Sequence, residues 1–122
     1  MNANEFQIEA HKFADYPTPL IYDGFKEHTI TRTLDFTYPA LGLVEEAGEV
    51  AGKYAKAVRD CNGNIDGERR EAIKKELGDV MWFVAELSTL LGLTLEEVMA
   101  ANIEKLTSRK NRGVIHGNGD NR

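Results

Sequence analysis

Two short acidic clusters are the residues of this sequence whose types and spacing could do chemistry. The first comprises Glu45, Glu46 and Glu49, and the second comprises Glu76 and Asp79. Residues three or four positions apart share one face of an α-helix, so each cluster can direct two carboxylates toward one point. Carboxylate oxygens are the ligands that Mg²⁺ prefers, and Mg²⁺ commonly joins such groups to substrate phosphates.

The apolar neighbours of these acids favour a site over a plain surface. At about 100° per residue in a helix, Glu76 is in line with Phe83, and Glu46 borders Leu43 and Val50. Charged groups rarely extend an apolar stripe without a partner or a metal. Clustered carboxylates repel one another, and a hard divalent cation would remove that conflict. The alternative is a solvated face on which the acids pair with lysines. The lysines available for this are Lys53, Lys74 and Lys75.

Four helical segments are predicted to position the acids, at about 4–14, 40–59, 67–91 and 95–111. No segment has the pattern of a convincing strand. Long helices joined by short turns predict an all-α fold, a helical bundle of about four main helices. The expected N-terminal caps are Asn4 with Gln7, Asp66, and Thr94 with Glu97. Gly63 and Gly92 are the expected stops of the second and third helices.

The stretch 16–39 precedes the first acidic cluster and holds all three prolines, which predicts a long irregular loop. A loop of this length in a compact domain is often functional. Its candidate ligand-contacting side chains are Tyr22, Phe25, His28 and Tyr38, with irregular loop packing as the alternative for each. Trp82 is expected in the core, whereas Phe83, in line with Glu76, is the better aromatic candidate for lining a substrate pocket.

Length, charge and composition exclude several classes of protein. A chain of 122 residues fits one domain, so residues 1–122 are expected to form a single unit. The formal net charge of -5 and the absence of a basic stripe argue against general nucleic-acid binding. No apolar run is long enough to span a bilayer, so no membrane association is expected. With one cysteine and no recognisable signal peptide, a cytoplasmic location is expected.

The acidic motifs resemble the signature of the MazG-like all-α NTP pyrophosphohydrolases, Glu-Glu-x-x-Glu followed by Glu-x-x-Asp. Here the motifs occupy residues 45–49 and 76–79. Residues 102–109 (Asn-x-x-Lys-Leu-x-x-Arg) resemble the downstream phosphate-binding helix of that family, and residues 117–122 (Gly-x-Gly-Asp-x-Arg) resemble its tail. The superfamily also contains dimeric dUTPases, dCTP pyrophosphatases and phosphoribosyl-ATP pyrophosphohydrolases. The resemblance covers nearly the whole chain except residues 15–37.

This resemblance implies a reaction in which an NTP or dNTP and water give a nucleoside monophosphate and pyrophosphate. It implies Mg²⁺ as the cofactor, with Mn²⁺ as a substitute. The implied metal ligands are Glu46, Glu49, Glu76 and Asp79, and Glu45 would orient the attacking water or hold a second metal. We expect the biological role to be the cleansing of nucleotide pools.

The resemblance also implies a set of substrate-binding residues. These are Asn102 for the nucleotide, Lys105 and Arg109 for the phosphates, and Asp120 and Arg122 closing over the site from the tail. Each assignment has an alternative from the residues alone. Asn102 could be a buried amide satisfied by the backbone, and the two basic residues could be a solvated helix end that favours positive charge.

Members of this superfamily are dimers or tetramers, so a homodimer or homotetramer is expected here. The wide apolar face of the second helix fits such an interface. Its residues are Leu41, Val44, Gly48, Ala51, Ala55 and Val58. The main apolar stripe predicted for the third helix comprises Ile73, Leu77, Val80, Val84, Leu87 and Leu91. The rival interpretation is a helical nucleotide-binding or partner-binding module without turnover. A di-iron centre is disfavoured because Glu49 and Glu76 are not followed by histidine at the required offset.

Overall fold

The computed structural model describes residues 1–16 and 36–120, and these residues form four α-helices and no β-strand. The helices are α1 (Ala3–His11), α2 (Thr37–Cys61), α3 (Gly67–Leu90) and α4 (Leu95–Asn111). Helix α3 is central, because it packs against each of the other three and most extensively against α2. Within the described residues, α2 packs against neither α1 nor α4. The predicted all-α architecture with four main helices is confirmed.

Helix α1 begins with a different cap from the one predicted. The side chain of Asn2 accepts a hydrogen bond from the backbone N–H of Glu5, and the Glu5 carboxylate accepts one from the backbone N–H of Asn2. The prediction of Asn4 with Gln7 was wrong, because Gln7 makes tertiary contacts instead. Its amide donates to the carbonyl of Leu93 at 2.8 Å and accepts from the backbone N–H of Leu95 at 2.7 Å. Gln7 therefore ties α1 to the start of α4.

Helix α2 begins three residues earlier than predicted. Pro39 lies in its first turn, where a missing backbone N–H removes no helical hydrogen bond. The helix ends at Cys61 because Asn62 adopts a left-handed conformation with φ of 53°. The backbone N–H of Gly63, the predicted stop, then donates to the carbonyl of Ala57 at 3.0 Å. This arrangement satisfies a carbonyl that the end of a helix leaves unpaired.

Helix α1 ends at His11, three residues earlier than predicted, whereas the boundaries of α3 and α4 follow local capping chemistry and agree with the predictions. Asp66 accepts a hydrogen bond from the backbone N–H of Arg69 at the start of α3. Helix α3 stops before Gly92, whose φ of 70° suits glycine. Thr94 and Glu97 form the predicted reciprocal cap of α4, with each side chain bonded to the backbone N–H of the other.

A small core lies where α1, α3 and α4 meet. Ala10, Ala85 and Leu95 are buried there. The partly buried residues around them are Ala3, Phe6, Trp82 and Val84. The indole N–H of Trp82 donates to the carbonyl of Ala10 at 2.9 Å, which fixes α1 on α3. Trp82 is therefore a packing residue, as expected.

Helices α2 and α3 approach closely at Gly42. A Cβ atom at position 42 would lie 2.2 Å from the ring of Phe83, so only glycine fits there without displacing the ring. On α2 the fully buried residues are Pro39, Gly42 and Ala57, which face α3. The contact between Gly42 and Phe83 sets how the two helices are aligned. The acidic clusters lie about one turn from this contact on each helix.

The apolar face predicted for α2 is exposed in the single chain, and that of α3 is only partly buried. Leu41 and Val44 are 66% and 71% exposed, because α2 contacts α3 through its other face. On α3, Leu77 and Leu91 of the predicted stripe are exposed, whereas its other four residues are partly buried, namely Ile73, Val80, Val84 and Leu87. The buried residues of α3 are Phe83, Ala85, Glu86 and Ser88. Phe83 lies against Gly42 of α2, and Ala85 belongs to the core that α3 shares with α1 and α4.

In the described ranges, no single helix is long and apolar enough to cross a membrane. Helices α3 and α4, which meet at 103°, reach the required length and hydropathy only when they are taken together. Core helices of soluble proteins satisfy the same criterion, so this is weak evidence for a span.

Candidate metal centre

Three carboxylates from α2 and α3 meet on one side of the helix pair. Glu46 comes from α2, and Glu76 and Asp79 come from successive turns of α3. One carboxylate oxygen from each residue lies within 4.8 Å of the others. The spacing of three residues places Glu76 and Asp79 on one face of α3. Packing at Gly42 and Phe83, one turn away on each helix, brings that face against Glu46.

The negative charges of this carboxylate group are close enough to perturb one another. Partial burial raises the pKa of the Glu46 carboxyl above its ordinary value, and the charges of Asp79 and Glu76 raise it further. Glu45 and Glu49 add smaller effects in the same direction. Ionisation of Glu46 is therefore less favourable than that of an isolated glutamate, and a bound cation would oppose this effect.

Among the described residues, one basic side chain forms an ion pair with the carboxylate group. The ammonium of Lys53, on α2, lies 3.1 Å from Oε1 of Glu76. Both side chains are partly buried, at 32% and 18% exposure. The lysine pairing considered as an alternative from the sequence therefore exists for Glu76. Glu76 also lies close to two other carboxylates. A simple surface ion pair does not require three acids to converge.

Glu45 and Glu49 belong to the same acidic motif but lie outside the converging group. Both are exposed on α2. Their helical spacing allows them to share a face with each other, whereas the carboxylate that converges with Glu76 and Asp79 is that of Glu46. The structure thus brings together three of the four predicted metal ligands and leaves Glu49 at the rim.

The donor set fits a hard divalent cation. Three carboxylates supply up to six oxygen atoms on two rigid helices, and the exposure of Asp79 leaves the group open on one side. Mg²⁺ typically takes one or a few carboxylates and keeps other positions for water or phosphate oxygens. Sulfur and imidazole ligands, which softer metals prefer, do not contribute to this group among the described residues.

Comparison with known proteins assigns the chain to a family. The family model of the MazG nucleotide pyrophosphohydrolase domain matches residues 37–114, which is more than half of the chain. The chain belongs to the MazG family. The match begins with α2 and ends just after α4, so it contains both acidic motifs of this MazG domain.

Two relatives of this MazG protein extend the comparison. Gene 37 protein of Mycobacterium phage L5 is 43% identical over 122 residues, which is 100% of both chains. The uncharacterized protein YvdC of Bacillus subtilis (strain 168) is 38% identical over 76 residues, covering 55% of this chain and 68% of that protein. No solved structure matches the chain.

An aromatic cluster lies about one helical turn from the carboxylates of the MazG domain. Phe83 is buried beneath Gly42 and contacts Tyr38, with ring centroids 5.9 Å apart. Tyr38 is 45% exposed and stacks on Tyr16 at 5.1 Å. Phe83 was predicted to line the pocket, but the exposed ring here is that of Tyr38. The other candidates from the predicted loop, Tyr22, Phe25 and His28, lie outside the described residues.

The predicted phosphate-binding helix is separate from the carboxylates in the single chain. Asn102 and Lys105 are exposed on α4, where they line a groove of about 660 Å³. The other lining residues are Leu93, Glu97, Val98 and Ala101. Asn102 is thus not the buried amide considered as an alternative. Because α4 does not pack against α2 in the described ranges, this groove and the carboxylate group are on different parts of the surface.

Arg109 is buried, contrary to the alternative of a solvated helix end. Its guanidinium donates to the carboxylate of Asp120 at 3.0 Å and to the backbone carbonyl of Asp120 at 2.9 Å. The ammonium of Lys105 lies 3.5 Å from the same carboxylate. These contacts lower the pKa of Asp120, with the Arg109 hydrogen bond as the largest cause. The tail therefore folds back on α4 through Asp120, whereas Arg122 lies outside the described residues.

Sequence reasoning did not assign a role to Glu86, a buried acid on α3. Glu86 is 1% exposed, and its Oε1 accepts a hydrogen bond from the hydroxyl of Tyr16 at 2.7 Å. Its Oε2 lies 2.9 Å from Nδ1 of His11, within hydrogen-bond distance. The available signal was an acid inside the apolar run 80–93. Glu86 joins α1 and Tyr16 to α3 and lies outside the carboxylate group.

Proposed function

We propose that this MazG protein is a Mg²⁺-dependent nucleoside triphosphate pyrophosphohydrolase. It would hydrolyse an NTP or dNTP between the α and β phosphates to give the monophosphate and pyrophosphate. The observation that carries this proposal is the convergence of Glu46, Glu76 and Asp79, from two motifs far apart in sequence, in a chain of the MazG nucleotide pyrophosphohydrolase family.

The acidic residues would have two roles in this reaction, binding the metal ion and orienting the attacking water. Glu46, Glu76 and Asp79 would hold Mg²⁺, or Mn²⁺ in its place, and Glu49 would join them from the rim. The bound ion would lower the pKa of a water molecule and bridge phosphate oxygens. Glu45, exposed beside Glu46, would orient the attacking water. Fixing that water in line with the α phosphorus is the contribution that rigid helices can make.

The triphosphate would need more positive charge than the carboxylate group offers. Lys105 and Arg109 are the proposed phosphate ligands, and Asn102 in the adjacent groove is the proposed nucleotide contact. Because α4 does not pack against α2 in the described part of one chain, we place these residues in the site of a neighbouring subunit. Asp120 and Arg122 would then close over the phosphates from the tail. Phe83 would support the base-facing side through Tyr38.

An assembly of identical chains follows from the exposed face of α2. Leu41, Val44, Tyr54 and Val58 are large apolar residues that a single chain leaves exposed. A contiguous apolar surface of this kind marks an interaction site. We propose a homodimer or homotetramer, and static light scattering at micromolar concentration tests it. A monomer under those conditions would contradict both the assembly and the shared site.

We further propose that residues 1–122 act as one domain in the cytoplasm, where the reaction would cleanse nucleotide pools. The net charge of -5 disfavours nucleic acid as a partner, and nothing in the proposed reaction requires a membrane.

The deciding experiment is product analysis with each of the eight common NTPs and dNTPs. Wild-type protein is assayed with Mg²⁺, with Mn²⁺ and with EDTA, beside Asp79→Asn and Glu49→Gln variants. We expect monophosphate and pyrophosphate, dependence on the metal, and loss of turnover in both variants. Lys74→Met, an exposed change on α3 away from the carboxylates, serves as the control that should retain turnover.

Other products would change the conclusion in defined ways. A diphosphate with inorganic phosphate would move the cleavage to the β–γ bond. Metal binding without turnover of any nucleotide would favour the non-catalytic nucleotide-binding module. Turnover that persists in EDTA would contradict the metal centre.

A further inference from the structure

Lys53 is a basic residue that the family signature does not include and that the proposed chemistry has not used. It lies on α2, one turn beyond Glu49 and two turns beyond Glu46, on the face that meets α3. Its ammonium is 3.1 Å from Oε1 of Glu76, one of the proposed metal ligands. With 32% of its side chain exposed, Lys53 is accessible from the open side of the carboxylate group.

The position of Lys53 contrasts with that of the other basic residues proposed for the phosphates. Lys105 and Arg109 lie on α4, which does not pack against α2, and both contact Asp120. Among the ion pairs between described residues, the one that reaches the carboxylate group is that of Lys53. Lys53 is therefore the described basic residue placed to contact phosphates at the carboxylate group of the same chain.

We propose that Lys53 is a substrate-phosphate ligand that rests on Glu76 in the metal-free protein. When a divalent cation takes the Glu76 carboxylate, the ammonium is released to phosphate oxygens bound to the same cation. This inference rests on the proposed function, because it assumes that phosphates bind at the carboxylate group.

Two physical features support an exchange of partners. An ammonium and a divalent cation compete for the same carboxylate oxygen, and the divalent ion has twice the charge. Phosphate oxygens that share a cation with Glu76 would lie beside that carboxylate, within range of a lysine that already contacts it. The long, flexible lysine stem allows this small movement without a change in α2.

The exchange predicts opposite effects of one substitution on two ligands. Lys53→Met removes a positive charge beside the carboxylates, so Mn²⁺ alone should bind about three- to tenfold more tightly. The same change removes a phosphate contact, so inorganic tripolyphosphate at saturating Mn²⁺ should bind about tenfold more weakly. If Lys53 had a purely structural role, the Lys53→Met variant would bind both Mn²⁺ and tripolyphosphate more weakly.

Isothermal titration calorimetry with Mn²⁺, and then with tripolyphosphate, measures both effects without turnover or knowledge of the base. Lys53→Arg keeps the charge and should bind both ligands within about threefold of the wild type. Lys56→Met removes the same charge from the same helix at an exposed position and should move neither affinity more than about twofold. Far-UV circular dichroism verifies that each variant is folded.

The outcomes separate this inference from the proposed reaction. Tighter Mn²⁺ with weaker tripolyphosphate in Lys53→Met supports the exchange, even if no tested nucleotide is hydrolysed. Unchanged affinities, or a loss of both, overturn it while leaving the Mg²⁺-dependent reaction intact if wild-type protein shows turnover. Failure of wild-type protein to bind Mn²⁺ overturns the metal centre and the exchange together.

Discussion

Two glutamates on α3, ten residues apart, have opposite environments. Glu86 is fully buried, and each of its oxygens has a hydrogen-bond partner, the hydroxyl of Tyr16 for one and Nδ1 of His11 for the other. Glu76 is only partly buried, contacts Lys53 through one oxygen, and lies with two other carboxylates within 4.8 Å. The same residue type on the same helix is therefore fully paired within the core at one position and lies among other carboxylates at the other, with Lys53 as its basic partner.

This difference gives a criterion for separating structural acids from functional ones. A structural acid is paired within the chain, because an unpaired buried charge is too costly to keep. A functional metal ligand is instead held near like charges, and the fold keeps that repulsion until a cation binds. Burial alone would have selected Glu86 as the candidate site, whereas clustering selects Glu76.

The largest expected effect is that of Glu76→Gln on metal-dependent properties. We expect Mg²⁺ or Mn²⁺ to lose its stabilising effect in thermal unfolding, and turnover to fall at least about 100-fold. Loss of a residue that merely supports a metal ligand already costs roughly 10–100-fold, so loss of a ligand should cost more. Differential scanning calorimetry with and without Mg²⁺, beside the nucleotide assay, tests this. Full metal-induced stabilisation of the variant would contradict the assignment of Glu76.

The matched variant Glu86→Gln should show the reverse pattern. A glutamine can accept one hydrogen bond but presents an N–H₂ group to the second donor, so the pairing of Tyr16 and His11 becomes incomplete. We expect the free energy of unfolding to fall by about 1–3 kcal/mol, measured by urea denaturation, with Mn²⁺ affinity unchanged. If metal binding fell as far as it does in Glu76→Gln, the distinction between the two acids would be lost.

A smaller effect of opposite sign is expected for Glu46→Gln in metal-free protein. The raised pKa of Glu46 means that the folded state favours the protonated form. Its contribution to stability therefore declines as pH rises from the ordinary value of 4.5 through the raised value. A neutral amide avoids this loss, so the melting temperature at pH 7.5 should rise by about 2–4 °C.

The pH dependence is the control for this prediction. The advantage of Glu46→Gln should shrink at pH 4, where wild-type Glu46 is itself protonated. Saturating Mg²⁺ at pH 7.5 should remove the advantage or reverse it, since only the wild type retains the ligand. A destabilised variant at pH 7.5 without metal would show that Glu46 is paired like Glu86.

The smallest effect is expected for His11→Ala, which tests the exposed side of the Glu86 pairing. The His11 side chain is 54% exposed, so water can replace much of what it donates. We expect a loss of less than about 1 kcal/mol in the free energy of unfolding, again by urea denaturation. If the free energy of unfolding fell further in His11→Ala than in Glu86→Gln, the histidine would contribute more to stability than the carboxylate does.

Local chemistry made parts of the fold predictable. Asp66 and the Thr94–Glu97 pair cap helices through contacts within a few residues, so their roles could be read directly from the sequence. The α1 cap was misplaced because Asn2 with Glu5 and Asn4 with Gln7 offer the same local pattern. Only the contact of Gln7 with Leu93 and Leu95 decides between them, and that contact joins residues more than eighty positions apart.

The candidate site shows the same division. Spacing alone predicts that Glu76 and Asp79 share a face of α3. It could not predict that Glu46 joins them while Glu49 remains at the rim, because the packing at Gly42 and Phe83 sets that alignment. The burial of Arg109 likewise could not be predicted from helical periodicity, because the residue that covers it, Asp120, belongs to the tail and not to the helix.

By itself, the sequence determined the all-α class, most helix boundaries, the acidic motifs and the resemblance to the MazG family. These depend on capping, helical spacing and residue type, which act over one or two turns. Only the tertiary structure decided which acids converge, that Lys53 contacts them, and that Glu86 is a packing residue. Those outcomes depend on which faces of α1, α2 and α3 meet, and a helix with several possible apolar stripes does not specify that choice alone.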